Sequence, residues 1–282
     1  MDTVVSVKSD KNITEQIKTE ITALDEILDC CSETSEISEL NRKKEKICSS
    51  ELTDFISQSE ELSRTYGYGV DISAGELTGL WRVSIEKKVL PEGDKIAELL
   101  NQNGKQNISV SGDKVTLENG VSIDPGAAAK GYALDMIKDI CVSSGSEYTV
   151  VSTGSSTLLY SSDLQHIFSC GIKAGKDKIA GTAKVKSCFV STSGDYERCT
   201  EIDGKNYHHI LDMKTGYPSE TGFSSVTVFC NSGLKSDFLS TLIFAEGTEE
   251  IGKYLDSDDF QIVAVDKKGN IIKSDSLDFT EA

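Results

Sequence analysis

The sequence predicts an α+β fold, with a single domain over residues 1–282 and a mostly antiparallel sheet carrying flanking helices. Three observations lead there. Short β-branched and aromatic runs recur, punctuated by turn dipeptides such as Asn119-Gly120 and Lys268-Gly269. Helical periodicity appears only in separate blocks, the clearest being Ile13, Ile17, Ile21, Leu24 and Leu28. No fixed-period repeat or low-complexity linker divides the chain.

In chain order, Thr3–Lys8 alternates like a strand, and the Ile13 to Leu28 block comes next as one apolar helix face. Residues 32–46 read as a polar connection. A second helix runs from about Glu51 to Arg64, with Leu52, Phe55, Ile56 and Leu62 inward, until Gly67 and Gly69 break it. Ile108–Ser111 and Val115–Leu117 read as strands, and Asn119-Gly120 predicts a tight hairpin between Val115–Leu117 and Val121–Ile123. Past Pro125-Gly126, the spacing of Ala133, Met136, Ile137, Ile140 and Cys141 is helical and stops near Gly145. Strands are then expected at 148–152, 168–173, 180–186, 189–191 and 225–230, with helices after them at 236–244 and 249–255. A final strand pair falls at 261–265 and 271–273.

Composition narrows the function. With 29 basic and 46 acidic residues the formal charge is −17, a field that repels a nucleic-acid backbone, so no nucleic acid is expected as partner. The same field repels a phosphate ligand unless a divalent cation and backbone N–H groups offset it, so a metal is expected wherever phosphate binds. No run approaches the length of a membrane span, and no basic-then-apolar leader opens the sequence. The eight cysteines contain no CxxC pair and fall largely in apolar runs, which reads as buried free thiols rather than a disulfide framework.

Three segments can carry chemistry. Asp124-Pro125-Gly126-Ala127-Ala128-Ala129-Lys130-Gly131-Tyr132 leaves a strand and opens a helix through small residues, a setting in which a helix N-terminus presents N–H groups to phosphate; Lys130 adds a positive charge. A tight strand-to-helix turn alone would use the same glycines. His208-His209-Ile210-Leu211-Asp212 gathers two of the three histidines ahead of a Gly-Tyr-Pro turn, and a histidine there can take a proton from a hydroxyl nucleophile. The plainer reading makes His208 a solvated strand residue and His209 a hydrogen-bonded core residue. Asp237 and Thr241 lie four apart on one helix face, a hard-oxygen pair of the kind Mg²⁺ takes; the plainer reading is a helix start capped by Ser236 or Asp237. A polar strand end, Ser191 to Tyr196, includes Ser193 and Gly194 and is equally explained by turn chemistry. Zinc spacing, GxSxG, HExxH and a strand-linked GxGxxG are all missing.

Taken in order, these segments resemble the ApbE family of FAD:protein FMN transferases along nearly the whole chain. Met1-Asp2-Thr3 is similar to the family's opening MGT, Ser35 to Asn41 to its SElSxlN, and Val70-Asp71-Ile72 through Leu80-Trp81 to its FDxTxGPLxxLW. Asp124 to Asp135 resembles DxGGxAKGYAxD, Thr192 to Tyr196 TSGDY, His208 to Pro218 HHIxDPxTGYP, and Ser236 to Gly247 ADxxSTxxFxxG. Departures are Met213 for the usual proline, Lys214 where arginine is common, Glu76 for proline and Ala127 for glycine. The segment Cys31-Ser32-Glu33-Thr34 also lacks a tyrosine often found there.

The resemblance implies an enzyme that uses Mg²⁺ to transfer the FMN half of FAD onto a Thr or Ser hydroxyl of an acceptor protein, releasing AMP. The acceptor would carry a flavinylation motif, as in a redox-complex subunit or an FMN-binding domain. Met1, Gly69, Val70, Asp71, Asp124, Lys130, Ser193, Gly194, His208, His209 and Ile210 would line the FAD site. The Ala127 carbonyl, Asp237 and Thr241 would hold Mg²⁺, with His209 the catalytic base. The alternatives are a Mg²⁺-dependent FAD pyrophosphatase giving FMN and AMP, and a flavin-binding protein without turnover. Family members are often exported or lipid-anchored. The expected location is therefore extracytoplasmic and membrane-associated through an N-terminal anchor absent from this chain, with a cytoplasmic protein as the alternative.

Overall fold

A computed structural model describes residues 3–102, 107–220 and 222–282. The elements run β1 (Ser6–Ser9), α1 (Thr14–Leu28), α2 (Glu36–Lys43), β2 (Glu45–Ile47), α3 (Ser50–Tyr66), α4 (Gly75–Lys87) and α5 (Gly93–Gln102). Next come β3 (Ile108–Ser111), β4 (Lys114–Leu117), α6 (Ala129–Ser143), β5 (Tyr148–Ser152), β6 (Ser156–Ser161), β7 (Phe168–Gly175) and β8 (Lys178–Val185). The chain closes with β9 (Cys188–Gly194), β10 (Cys199–Ile202), β11 (Lys205–His208), β12 (Phe223–Cys230), α7 (Gly233–Glu246), β13 (Phe260–Asp266), β14 (Ile271–Lys273) and β15 (Asp278–Glu281). The α+β class with mostly antiparallel sheets is therefore observed. Two compact units share the chain: Met1–Ile21 with Lys130–Tyr196 and Glu220–Ala282, and Thr22–Ala129 with Glu197–Ser219.

The first unit is built on a seven-stranded antiparallel sheet ordered β1-β5-β6-β9-β12-β13-β14. Both faces are covered, and the alternation of strand side chains shows how. Leu158 and Phe189 face a cluster with Ile13, Ile17, Leu134, Ile137 and Cys141. Their chain neighbours Leu159 and Val190 face the other way, packing with Phe168, Ile172 and Ala183 of the smaller β15-β8-β7 sheet. Two buried faces explain why every residue from Ser225 to Cys230 is buried, the hydroxyls of Ser225 and Thr227 included. Phe189, 1% exposed, contributes about 1.5–3 kcal/mol by burial alone.

Helix α7 is apolar almost all round because it is buried almost all round. Two of its buried polar side chains are satisfied against β9: Ser236 bonds Ser191 at 2.9 Å and Ser240 bonds Ser193 at 3.0 Å. Helices α6 and α7 meet backbone to backbone. A Cβ added at Gly131 would sit 2.0 Å from the Gly233 carbonyl oxygen, and one at Gly233 would sit 2.2 Å from that of Gly131.

In the second unit, β2-β4-β3 form an antiparallel sheet, β10 pairs with β11, and Trp81 anchors α4. The indole stacks on Tyr207 at 5.7 Å, and its Nε1–H donates to the Gly216 carbonyl at 2.7 Å. That bond ties the LW of α4 to the Gly-Tyr-Pro turn.

Several expectations need correction. The connection at 32–46 contains α2, capped by Ser35, and strand β2. Asn119-Gly120 does turn, with φ of 53° and 77°, but closes no hairpin. Strand β4 pairs with β3 and β2, and residues 121–123 serve other partners. The Asn41 amide brackets Ile123, accepting from its N–H at 2.7 Å and donating to its carbonyl at 2.9 Å, while the Gly75 N–H takes the Ser122 carbonyl. The expected helix at 249–255 is a single 3₁₀ turn, Ile251–Tyr254. All eight cysteines are free, but only Cys48, Cys141 and Cys230 are buried, while Cys31 and Cys199 are exposed.

Candidate active site

The candidate residues divide between the units. Lys130, Ser193, Gly194, Asp237 and Thr241 belong to the first, and Gly69, Val70, Asp71, Asp124, Ala127, His208, His209 and Ile210 to the second. Met1 lies outside the described residues.

In the first unit the N-cap of α7 is Ser232, whose hydroxyl accepts from the Lys235 N–H. Asp237 and Thr241 therefore stand in the helix interior, and neither Ser236 nor Asp237 is a cap. A second carboxylate completes that N-terminus: Asp135 accepts from the N–H groups of Gly233 and Leu234 at 2.7 and 2.8 Å. Burial pushes the Asp135 carboxyl above its ordinary range, against these hydrogen bonds. Motif position alone gave Asp135 no role; the close approach of Gly131 and Gly233 explains its reach.

Asp237 is 3% exposed. Its Oδ2 accepts from the Gly131 N–H at 3.0 Å and its Oδ1 from the Ser156 hydroxyl at 3.0 Å, with Lys130 Nζ 3.7 Å from Oδ2. Thr241, one turn on, donates to the Asp237 carbonyl oxygen and lies 3.1 Å from Ser193 Oγ. Lys130, Ser193, Asp237 and Thr241 are thus one cluster. Gly194 lets the strand end bend back, since a Cβ there would meet the Tyr196 ring at 2.5 Å. A buried carboxylate has about four acceptor directions, so two hydrogen bonds leave capacity for a cation, and a hydroxyl on the same helix face supplies a second hard oxygen. The donor set fits Mg²⁺. Among the described residues no group of three or more His, Cys, Asp or Glu forms an alternative metal cluster.

In the second unit the turn before α6 is held by its own chain. Asp124 Oδ1 accepts from the Gly126 N–H at 2.8 Å, and the Pro125 carbonyl takes the N–H groups of Ala128 and Ala129. With Gly131 bound to Asp237, much of the helix start expected to face phosphate is already satisfied internally. Asp124 Oδ2 accepts from Thr78 at 2.6 Å and pairs with Arg82 at 2.9 Å. Asp71 is likewise turned onto its own backbone, accepting from the Ser73 N–H at 2.8 Å. Val70 is 6% exposed, and its carbonyl accepts from Ser63 at 3.3 Å.

The histidines exchange the places expected of them. His208 is 6% exposed and ends β11; its Nε2–H donates to the Ser219 carbonyl at 2.9 Å, and its Nδ1 accepts from the Ile210 N–H at 3.3 Å. His209 is exposed, and its Nδ1–H donates to the Glu197 carbonyl at 3.2 Å. With the proton on Nδ1, the lone pair is on Nε2. The alternation of a strand end decides this: adjacent residues point to opposite faces, so His208 and Ile210 turn inward and His209 between them turns outward.

The family model for the ApbE family matches residues 1–265. A FAD:protein FMN transferase of Klebsiella pneumoniae is 29% identical over 211 residues, covering 72% of this chain and 65% of that protein. One from Treponema pallidum is 28% identical, covering 62% and 54% respectively. The matches thus span less than two thirds of either relative. The crystal structure of the ApbE protein from Thermotoga maritima superposes with a TM-score of 0.89 at 28% identity, covering 97% of this chain and 94% of that one. From residue 1 to residue 265, with the fold to match, this chain belongs to the ApbE family.

Proposed function

We propose that the protein transfers the FMN half of FAD onto a threonine or serine hydroxyl of an acceptor protein, with Mg²⁺, releasing AMP. The reading rests on one observation above all: a carboxylate and a hydroxyl, Asp237 and Thr241, held in a helix interior beside Lys130. Two hydrogen bonds and Lys130 compensate the buried Asp237 carboxylate and still leave it acceptor directions that a Mg²⁺ ion on a diphosphate can use. The relatives named FAD:protein FMN transferase support the same chemistry.

Mg²⁺ held by Asp237 and Thr241 would supply charge neutralisation on the FAD diphosphate. Lys130 adds a compact positive charge, its Nζ 3.7 Å from Asp237 Oδ2. Ser193 fixes the Thr241 hydroxyl, and Ser156 with the Gly131 N–H fixes the Asp237 carboxylate. His209, its Nδ1–H anchored on the Glu197 carbonyl, presents Nε2 as the base that takes the proton of the acceptor hydroxyl. That hydroxyl oxygen attacks the FMN-side phosphorus, the pyrophosphate P–O bond breaks, and AMP leaves. His208, engaged through both ring nitrogens, holds the strand end from which His209 projects.

The test is mass spectrometry of a carrier bearing a threonine acceptor motif, incubated with the protein, FAD and Mg²⁺. The expected result is a carrier heavier by one FMN and an equivalent of AMP. Free FMN with an unmodified carrier would instead identify a pyrophosphatase, and intact FAD a binder without turnover.

A further inference from the structure

Adjacent side chains ordinarily diverge, yet the sulfurs of Cys30 and Cys31 meet one guanidinium. Arg82 Nη1 donates to Cys31 Sγ at 2.9 Å, and Nη2 reaches Cys30 Sγ at 3.6 Å. Cys30 Sγ also lies 3.9 Å from Asp124 Oδ1 as a donor, and Arg82 Nη2 pairs with Asp124 Oδ2. All four side chains line one cleft of about 320 Å³ within the second unit. Cys31 is exposed and Cys30 half-buried; burial first, and Asp124 second, push the Cys30 thiol up to about 12. An oxidant arriving from solvent therefore meets Cys31 before Cys30. A thiophilic cation is a poor occupant, because the guanidinium already faces both sulfurs.

We propose that Cys30 and Cys31 form a reversible dithiol redox site, oxidised by a hydroperoxide to a disulfide between neighbouring residues and coupled to the Arg82–Asp124 pair. The Cys31 sulfur attacks a peroxide oxygen; the O–O bond breaks, an alcohol or water leaves, and Cys31 becomes a sulfenic acid. The Cys30 sulfur then attacks the Cys31 sulfur, the S–O bond breaks, and water leaves with the remaining proton. Two thiols lose two electrons and the peroxide gains them. Neighbouring Cα atoms stand about 3.8 Å apart, closer than the roughly 4.4–6.8 Å usual for disulfides, so the ring is strained and easily reduced by thiols. Closure removes the Cys30 S–H that faces Asp124 and reorders the sulfurs against Arg82. Asp124 also holds the Gly126 N–H, so the change reaches the turn that carries Ala127. The effect on FAD rests on the proposed function; the thiol chemistry does not.

The full chain, first reduced, is treated with hydrogen peroxide and read by intact mass and peptide mapping. The expected product has lost two hydrogens at residues 30–31; Cys31→Ser prevents this, whereas substitution of the other exposed thiol, Cys199→Ser, does not. Titration with FAD should then show affinity weakened several-fold in the disulfide form and restored by dithiothreitol. Alkylatable Cys30 and Cys31 after treatment, or Cys31 recovered as a sulfinic acid, would overturn the site. A disulfide with unchanged FAD affinity would overturn the coupling. Failure of both forms to bind FAD would refute the proposed function instead, with the mass readout still deciding the redox site.

Discussion

At the scale of single residues, environment separates groups that the sequence presents as alike. His208 and His209 are neighbours of identical chemistry, but the first is buried with both ring nitrogens engaged, and the second is exposed with its Nδ1–H anchored on the Glu197 carbonyl. His209→Ala is expected to lower transfer by about a hundredfold or more, the usual worth of a general base, while FAD affinity changes little. Parallel turnover and fluorescence-quenching titrations check this, and retained turnover removes His209 from the role. Glu60 gives a pH-dependent case. Burial, with Asp71 next in weight, raises its carboxyl from 4.5 to about 7. Because the folded-state value is the higher one, the folded protein holds this proton more tightly than the unfolded chain. The resulting destabilisation is absent below about pH 4.5, grows across the interval, and is complete above about pH 7. Glu60→Gln should therefore raise the melting temperature at about pH 8 and leave it unchanged near pH 4. A gain of equal size at both pH values would contradict the assignment.

At the scale of elements, the decisive feature is the crossing of α6 and α7. Gly131 and Gly233 bring the two backbones together, and that approach lets the Gly131 N–H reach Asp237 and the Gly233 N–H reach Asp135. Gly131→Ala places a Cβ against a carbonyl oxygen that belongs to backbone and cannot swing aside. A cost of about 1–3 kcal/mol or more is expected from such overpacking, lowering the melting temperature by at least roughly 2–4 °C. Calorimetry checks it, and an unchanged transition would show that the helices separate freely. The sequence carried the elements whose patterns are local: α1, α3, α6, β12 and β13 lie close to their expected bounds. It did not carry β15, which is short and pairs with β8 far back in the chain, nor β6, nor the short strands β10 and β11, which pair only with each other across Asp203-Gly204. Long-range partners also explain the misplaced Asn119-Gly120 hairpin. The dipeptide fixes local φ, but Asn41 and Gly75 decide where residues 121–123 are held.

At the scale of the whole molecule, a chain of formal charge −17 proposed to bind an anionic dinucleotide must concentrate compensation locally. Motif order points to the proposed ligating residues, because Asp237 and Thr241 lie at helix spacing and Lys130 comes after a small-residue turn. The support around them stayed unread: Asp135 and Thr78 lie inside matched motifs that gave them no role, Ser156 falls in none, and Cys30, Cys31 and Arg82 meet only in three dimensions. The central claim concerns the carboxylate at 237, and Asp237→Asn isolates it. The amide can accept from the Gly131 N–H through Oδ1 and donate to the Ser156 hydroxyl through Nδ2, so the packing survives while the negative charge is lost. The most direct measurement is FMN transfer by the wild type and Asp237→Asn titrated with Mg²⁺, with melting temperatures taken alongside. The account predicts a folded variant whose half-saturating Mg²⁺ rises by at least about tenfold and whose maximal transfer falls with it. A variant with the wild-type Mg²⁺ curve and wild-type transfer would contradict it.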